Sequence, residues 1–431
     1  MLETFNYIIE FLLRGENTSD IISEIAYTSD VNKHPKYKLV IVKSDFFDDA
    51  IYGTEKSLPK LPLNNFEGIP ILFGDAKIEK KGETTVLHAD IIASTYFLIS
   101  RYEEYVRREI RDVHGRFPGK ESLPYQAGFI SYPLVDEYGK LLRKLLRETG
   151  FDIQEPKPQI KKIYLTHDVD CIAHYRNTKS VVGALLRGNS QFKTALKTYF
   201  TGIQHDPWFT FAWILEQNNS LKKGCTESIF FVKPGGGKRQ EDKPHSDVYG
   251  KDFQYLFQLL KDNNASIGLH ASYEAGIHPS LIPAEKAKLE KAIKSPVYYN
   301  RHHFLDTREP EDMQALVEAG ITHDFTMGYA DVAGFRLGTS RPVLWINPAT
   351  KQLTSLTLHP LTVMDGTLNE QRYMGLNEEE AYNYVQKLID ETKKHNGELC
   401  LLWHNTTLGK DGKYYHRNLY ANIIDYLKTI I

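Results

Sequence analysis

The chain has 431 residues, enough to expect two hydrophobic cores rather than one. Apolar residues make up 41% and charged residues 25%, which excludes a disordered or fibrous chain. Lys+Arg (53) nearly balances Asp+Glu (55), so no global charge favours nucleic acid or an acidic membrane surface.

The chain opens with "MLETFNYIIEFLLRGE", whose spacing predicts an amphipathic helix. It carries Glu3 and Glu10 and no basic start, so it does not read as a secretion signal. No apolar run approaches membrane-spanning length, so no integral membrane segment is expected. Cys171, Cys225 and Cys400 have no metal-type spacing and fit a reducing compartment. A cytoplasmic protein is the expectation. The sequence leaves the oligomeric state open.

Residues 1–155 read as a smaller α/β domain. "YKLVIVKSDFF" (37–47) and "IPILFG" (69–74) predict strands, and 91–110 and 135–149 predict helices. The Gly- and Pro-rich stretch 114–129 predicts an ordered loop. The polar, proline-bearing stretch 150–162 marks the boundary, so 156–431 is the second domain.

From 163 onward, short strand-like runs alternate with helical stretches. The runs are "IYLT" (163–166), "SIFFV" (228–232), "SIGLH" (266–270), "VYYNR" (297–301), "THDFTM" (322–327), "LTSLTLHPLTVM" (353–364) and "LCLLWHN" (399–405). This pattern predicts parallel strands with helical crossovers, closed into a distorted (β/α)7 barrel. The segment 172–224 reads as a helical insertion placed to cover one mouth. The loop "KPGGGKRQEDKPHSD" (233–247) reads as a flexible surface loop.

The ends of these runs are polar. Asp168 and Asp170 end the first, with His167 beside them, and His270 ends the third. Arg301 ends the fourth, followed by His303, and His323 and Asp324 sit in the fifth. Asp365 follows the sixth, and His404 ends the seventh. In a parallel β/α barrel these ends share the face where such folds place their chemistry. Desolvating so many charges needs a compensating role. Carboxylates with imidazoles suit a divalent cation, zinc first, and an Asp with a His suits acid–base work. No nucleophile elbow appears.

These residues resemble the polysaccharide deacetylases, carbohydrate esterase family four. "THDVD" (166–170) is similar to the family's Thr-Phe-Asp-Asp-Gly, with Val169 between the aspartates. "HASYE" (270–274) keeps His270 and puts Glu274 where a second histidine stands. "RHHF" (301–304) keeps Arg301 with His303 in place of proline, and "LLWH" (401–404) matches the last motif. The whole chain is similar to a bacterial subgroup that pairs an N-terminal α/β domain with a divergent deacetylase barrel. The resemblance implies Asp168 as general base, Arg301 as its orienting partner and His404 as general acid. It implies Asp170, His270 and Glu274 as metal ligands. His167, His303, Asp324 and Asp365 are the supporting or substrate-binding candidates.

Two readings of Glu274 stand together. Positions 270 and 274 share a helical face, and a carboxylate suits zinc. A Glu at a helix start also needs no further role. Arg336 and Arg341 suit an anionic glycan or plain solvent. The function implied is metal-dependent hydrolysis of the amide of an N-acetylated sugar in a polysaccharide or its precursor, with a carbohydrate as partner and no nucleic acid. The alternatives are a carbohydrate-binding barrel without catalysis and an amidohydrolase of small non-sugar amides.

Overall fold

Alternating apolar runs build two main sheets in the computed structural model, which describes residues 2–14, 18–176, 178–186, 190–221, 224–409 and 413–431. The first sheet takes β1 (Ile25–Tyr27), β2 (Leu39–Ile41), β5 (Gly74–Lys81) and β6 (Thr84–Ala89) in the order β1-β2-β6-β5. Its pairs are parallel except β5 with β6. A hairpin of β3 (Asn64–Phe66) and β4 (Ile69–Ile71) stands apart. Of the predicted run 37–47 only β2 is strand, and β5 and β6 escaped the sequence reading. The predicted helix 91–110 breaks into Ile91–Ile99 and Tyr102–Val106, because Arg101 adopts a left-handed φ of 56°.

The second sheet has nine strands, and every expected run contributes. They are β7 (Lys162–Val169), β8 (Thr226–Val232), β9 (Ser266–Ala271), β10 (Tyr299–His302), β11 (His323–Met327), β12 (Val343–Asn347), β13 (Gln352–Pro360), β14 (Val363–Met364) and β15 (Glu398–Leu402). Their order is β12-β13-β11-β10-β9-β8-β7-β15-β14. All neighbours are parallel except β12 with β13. Between β13 and β14, Leu361 N donates to Met327 O and Thr362 N donates to Cys400 O. That link joins the two ends of the parallel array. One buried cluster, Ile229, Phe231, Leu305, Phe325, Leu361, Cys400 and Leu402, lies on the inner face. The opposite face joins the main core through Ile163, Leu165, Val169 and Phe230.

The N-terminal residues share that main core, which runs from Leu12 and Tyr96 to Trp345 and Leu427. Two buried ionic knots reinforce the contact. Asp136 accepts from Arg14 and Arg341 at 3.0 and 2.8 Å. Glu104 accepts from Arg101 and from Nε and Nη2 of Arg336. Arg336 and Arg341 therefore hold the fold together rather than facing a glycan or solvent.

Candidate active site

Val169 separates the two aspartates at the end of β7. β7 stays extended through Val169, so residues two apart share a face. Val169 packs into the outer core, while Asp168 and Asp170 both turn inward. His167 lies between inward neighbours and faces out. Its ring meets Trp403 O at 2.9 Å and Asn218 Nδ2 at 3.1 Å. His167 is a buried packing residue and not part of the site.

Asp170, His270 and His303 offer ligand atoms that all lie within 4.8 Å of one another. His270 Nε2 stands 3.2 Å from Asp170 Oδ1, and His303 Nε2 stands 3.4 Å from it. His270 Nδ1 lies 2.9 Å from Arg301 O, which fixes the tautomer with its proton on Nδ1. The Nε2 lone pair is then aimed inward. His270 Nε2 and Asp170 Oδ1 are buried without a hydrogen-bond partner. Two inward donors left bare, one of them on an imidazole whose other nitrogen is anchored, fit a divalent cation. His303 Nδ1 faces the buried carboxylate of Asp242 at 3.6 Å, just beyond hydrogen-bond reach.

Glu274 was expected in this set and is elsewhere. Its carboxylate pairs with Arg239 at 3.0 Å and His278 at 3.5 Å. The short helix Tyr273–Ile277 turns it away from the strand ends, and His303 fills the third place from the turn that follows β10. Asp242 was missed because its loop, 233–247, read as mobile surface. In fact Asp242 is fully buried and accepts from Gly237 N, Tyr273 N and Glu274 N. The three glycines before it were the available signal, since the backbone passes close to the Glu285, Asp242 and Glu274 side chains there.

Two charged pairs flank the cluster. Arg301 Nη1 donates to Asp168 Oδ1 at 2.9 Å, and its Nε donates to Phe325 O at 3.0 Å. Asp168 Oδ2 is left 3.6 Å from His270 Nε2. On the other side His404 Nδ1 lies 2.8 Å from Asp365 Oδ1, and its Nε2 lies 3.6 Å from Asp170 Oδ2. Asp365 also accepts from His404 N and Thr407 Oγ1. Burial disfavours a charged His404, but the carboxylates of Asp365, Asp170 and Asp168 outweigh it and push the ring up to about 10. Burial likewise opposes ionisation of Asp170, and His303, His270 and His404 hold it well below the usual carboxylate range.

Asp324 does not reach these groups. Its oxygens are occupied by Asn300 Nδ2, Thr326 N and Thr326 Oγ1, and Arg301 ignores it. A cavity of about 240 Å³ opens over Asp168, Asp170, His303, Asp365 and His404. Among the described residues, none of the segment 172–224 lines it, contrary to expectation. A larger groove of about 1040 Å³ lies at the opposite strand ends, around Ser266, Tyr299 and His323. There Ser266 and Tyr299 both donate to Glu227, and His323 pairs with His359.

The family model described as a family of unknown function (DUF7033) matches residues 3–150. Among solved structures, the chain is similar to a provisionally named polysaccharide deacetylase from Mycobacterium smegmatis. Identity is 13%, with 64% of this chain and 87% of that chain covered and a TM-score of 0.40. It is also similar to a mutant of a CE4 family pseudoenzyme with restored enzymatic activity. That likeness has 14% identity, covers 64% and 66% of the two chains, and has a TM-score of 0.29. No curated protein matches. At TM-scores below 0.5 neither likeness bears on mechanism.

Proposed function

We propose that the protein is a metal-dependent amide hydrolase that removes an N-acetyl group from a sugar. One observation carries the reading: the Asp170–His270–His303 set, with Asp170 Oδ1 and His270 Nε2 unpartnered, lies between an Asp–Arg pair and a His–Asp pair. Asp170, His270 and His303 would hold a divalent cation, zinc first, which would supply Lewis acidity at the acetyl carbonyl.

Asp168, aimed by the bond from Arg301 Nη1 at 2.9 Å, takes the proton of the attacking water as general base. His404 enters the reaction protonated, and its pairing with Asp365 keeps it so near neutral pH. It gives that proton to the amine nitrogen as the C–N bond breaks. Acetate and a free amino sugar result. Asp242 orients His303, and Arg301 O orients His270. We also propose that the strand ends linked through Leu361 and Thr362 make a distorted β/α barrel, and that residues 1–155 and 156–431 are its two domains.

The test is acetate release from N-acetylated mono- and oligosaccharides with added zinc or cobalt, for wild type and Asp168→Asn. Turnover that Asp168→Asn abolishes is expected. No turnover on any sugar, or full activity in the variant, would overturn the proposal. A second reading, hydrolysis of a small non-sugar amide, is favoured by the small cavity, which lies below the ~300 Å³ usual for drug-sized ligands. A panel of N-acetylated amino acids and amines in the same assay separates the two.

A further inference from the structure

The loop 112–120 lies in the N-terminal region, yet it reaches the candidate site. Asp112 organises it. Its Oδ1 accepts from His114 N and Arg116 N, and its Oδ2 accepts from Arg116 Nε at 2.8 Å. Gly115 adopts a φ of +82°, which lets the turn close. The Arg116 guanidinium is thereby aimed across the gap. Nη1 donates to Phe304 O at 3.1 Å, and Nη2 donates to Tyr373 Oη at 3.0 Å. Phe304 follows His303 directly and sits at a left-handed φ of 61°. Lys120 Nζ donates to Tyr373 O at 3.0 Å, and Gly119 N and Lys120 N donate to Asp331.

Tyr373 is therefore held at both its hydroxyl and its carbonyl by one N-terminal loop. Arg116 and Tyr373 both line the 240 Å³ cavity that contains Asp168, Asp170 and His404. Arg116 is 7% exposed, so its charge is committed to this arrangement rather than to solvent. A buried arginine with a fork of fixed donors is a rigid bracket. The wall it braces carries an aromatic ring, which suits the apolar face of a sugar. At about 240 Å³ the cavity itself is on the scale of one sugar ring, and it opens to solvent.

We infer that the N-terminal region is part of the substrate site. Its loop 112–120 forms one wall, and Arg116 positions Tyr373 against a single sugar-ring-sized unit that carries the acetamide. This rests on the proposed amide hydrolysis of a sugar. Arg116 is a positioning residue, because it acts through Tyr373 and the Phe304 carbonyl.

The test uses the full chain as wild type, Arg116→Ala, Arg116→Lys and Tyr373→Phe. Three quantities are read: kcat and KM for acetate release from N-acetylglucosamine, calorimetric binding of the same sugar, and bound zinc per chain. Arg116→Ala should raise KM roughly ten-fold, with kcat within about three-fold and zinc unchanged. Arg116→Lys keeps the charge without the fork and should recover part of the loss. Tyr373→Phe should raise KM in the same direction with an unchanged melting temperature, which keeps the test alive if Arg116→Ala misfolds. Wild-type turnover with unchanged KM in Arg116→Ala and Tyr373→Phe would overturn this inference and leave the proposed function intact. Wild type that neither binds nor deacetylates any of the N-acetylated mono- and oligosaccharides would overturn both. Equal turnover of internal units in long chains would overturn the single-unit assignment.

Discussion

His303 Nε2 stands 3.4 Å from Asp170 Oδ1, whereas the Glu274 carboxylate turns to Arg239 and His278. The third ligand of the candidate metal set therefore comes from the turn that ends β10, the strand next to the one that carries His270. His303→Ala should lower zinc affinity at least ~100-fold, since it removes one of three donors. Asp242→Ala, which removes only the backing carboxylate, should lower it ~10–100-fold. Glu274→Gln should leave it unchanged. Competition with a chromophoric chelator measures all three. Equal losses in His303→Ala and Glu274→Gln would return Glu274 to the set.

Asp365 meets His404 through side chain and backbone at once, at 2.8 and 2.9 Å. Such a carboxylate fixes the tautomer and orientation of an acid–base histidine. Asp365→Asn keeps the shape and loses the charge. It should lower kcat by ~10²–10⁴ with KM and bound zinc little changed. A variant that loses zinc as well as rate would place Asp365 in metal retention instead.

Much of this was legible before any fold. The seven strand runs were readable because buried parallel strands are short apolar runs ending in polar residues. Asp168, Asp170, His270, Arg301 and His404 stood at their ends for that reason. What was not legible depends on side-chain direction and on distant partners. His167 and Asp168 are neighbours, and only the extent of the strand decides which one faces in. Glu274 and His303 are both plausible ligands by type, and only the turn after β9 separates them. Asp242 and Arg116 come from loops whose composition reads as surface. Arg336 and Arg341 looked like loop arginines because their carboxylate partners lie about two hundred residues away, on Glu104 and Asp136.

That last pairing predicts a stability effect. Arg336 grips Glu104 with Nε and Nη2 at 2.9 and 2.6 Å, and the pair is 3% exposed on each side. Arg101 adds a bond from the left-handed residue between two helices, and also reaches Glu309 and Thr307. Removing one partner leaves a buried charge uncompensated. Arg336→Ala should cost about 3–5 kcal/mol in denaturant unfolding. Arg336→Met with Glu104→Leu together should cost less than Arg336→Ala alone, because no lone charge remains. A double variant as unstable as the sum of its singles would show that the arginine acts through packing alone.

Asp306 offers the last test, through pH. It is 2% exposed, and its Oδ1 has no hydrogen-bond partner. Burial, then the charge of Asp312, pushes its carboxyl up to about 7 from the usual 3.8, against the pull of Arg308 and Arg116. The folded state thus holds the proton more tightly than the unfolded chain does. Its stabilising contribution is fully present below pH ~4 and is lost as pH rises through 7. Beyond that, the ionised form costs up to about 4 kcal/mol, from roughly three pKa units at 1.36 kcal/mol each. Asp306→Asn cannot ionise. Its melting temperature should exceed that of wild type at pH 8.5, and the gap should close toward pH 4. Melting curves of both proteins across pH 4–9 measure it. A gap that stays constant with pH, or widens toward acid, would show that Asp306 is ionised throughout and paired by groups the fold brings to it.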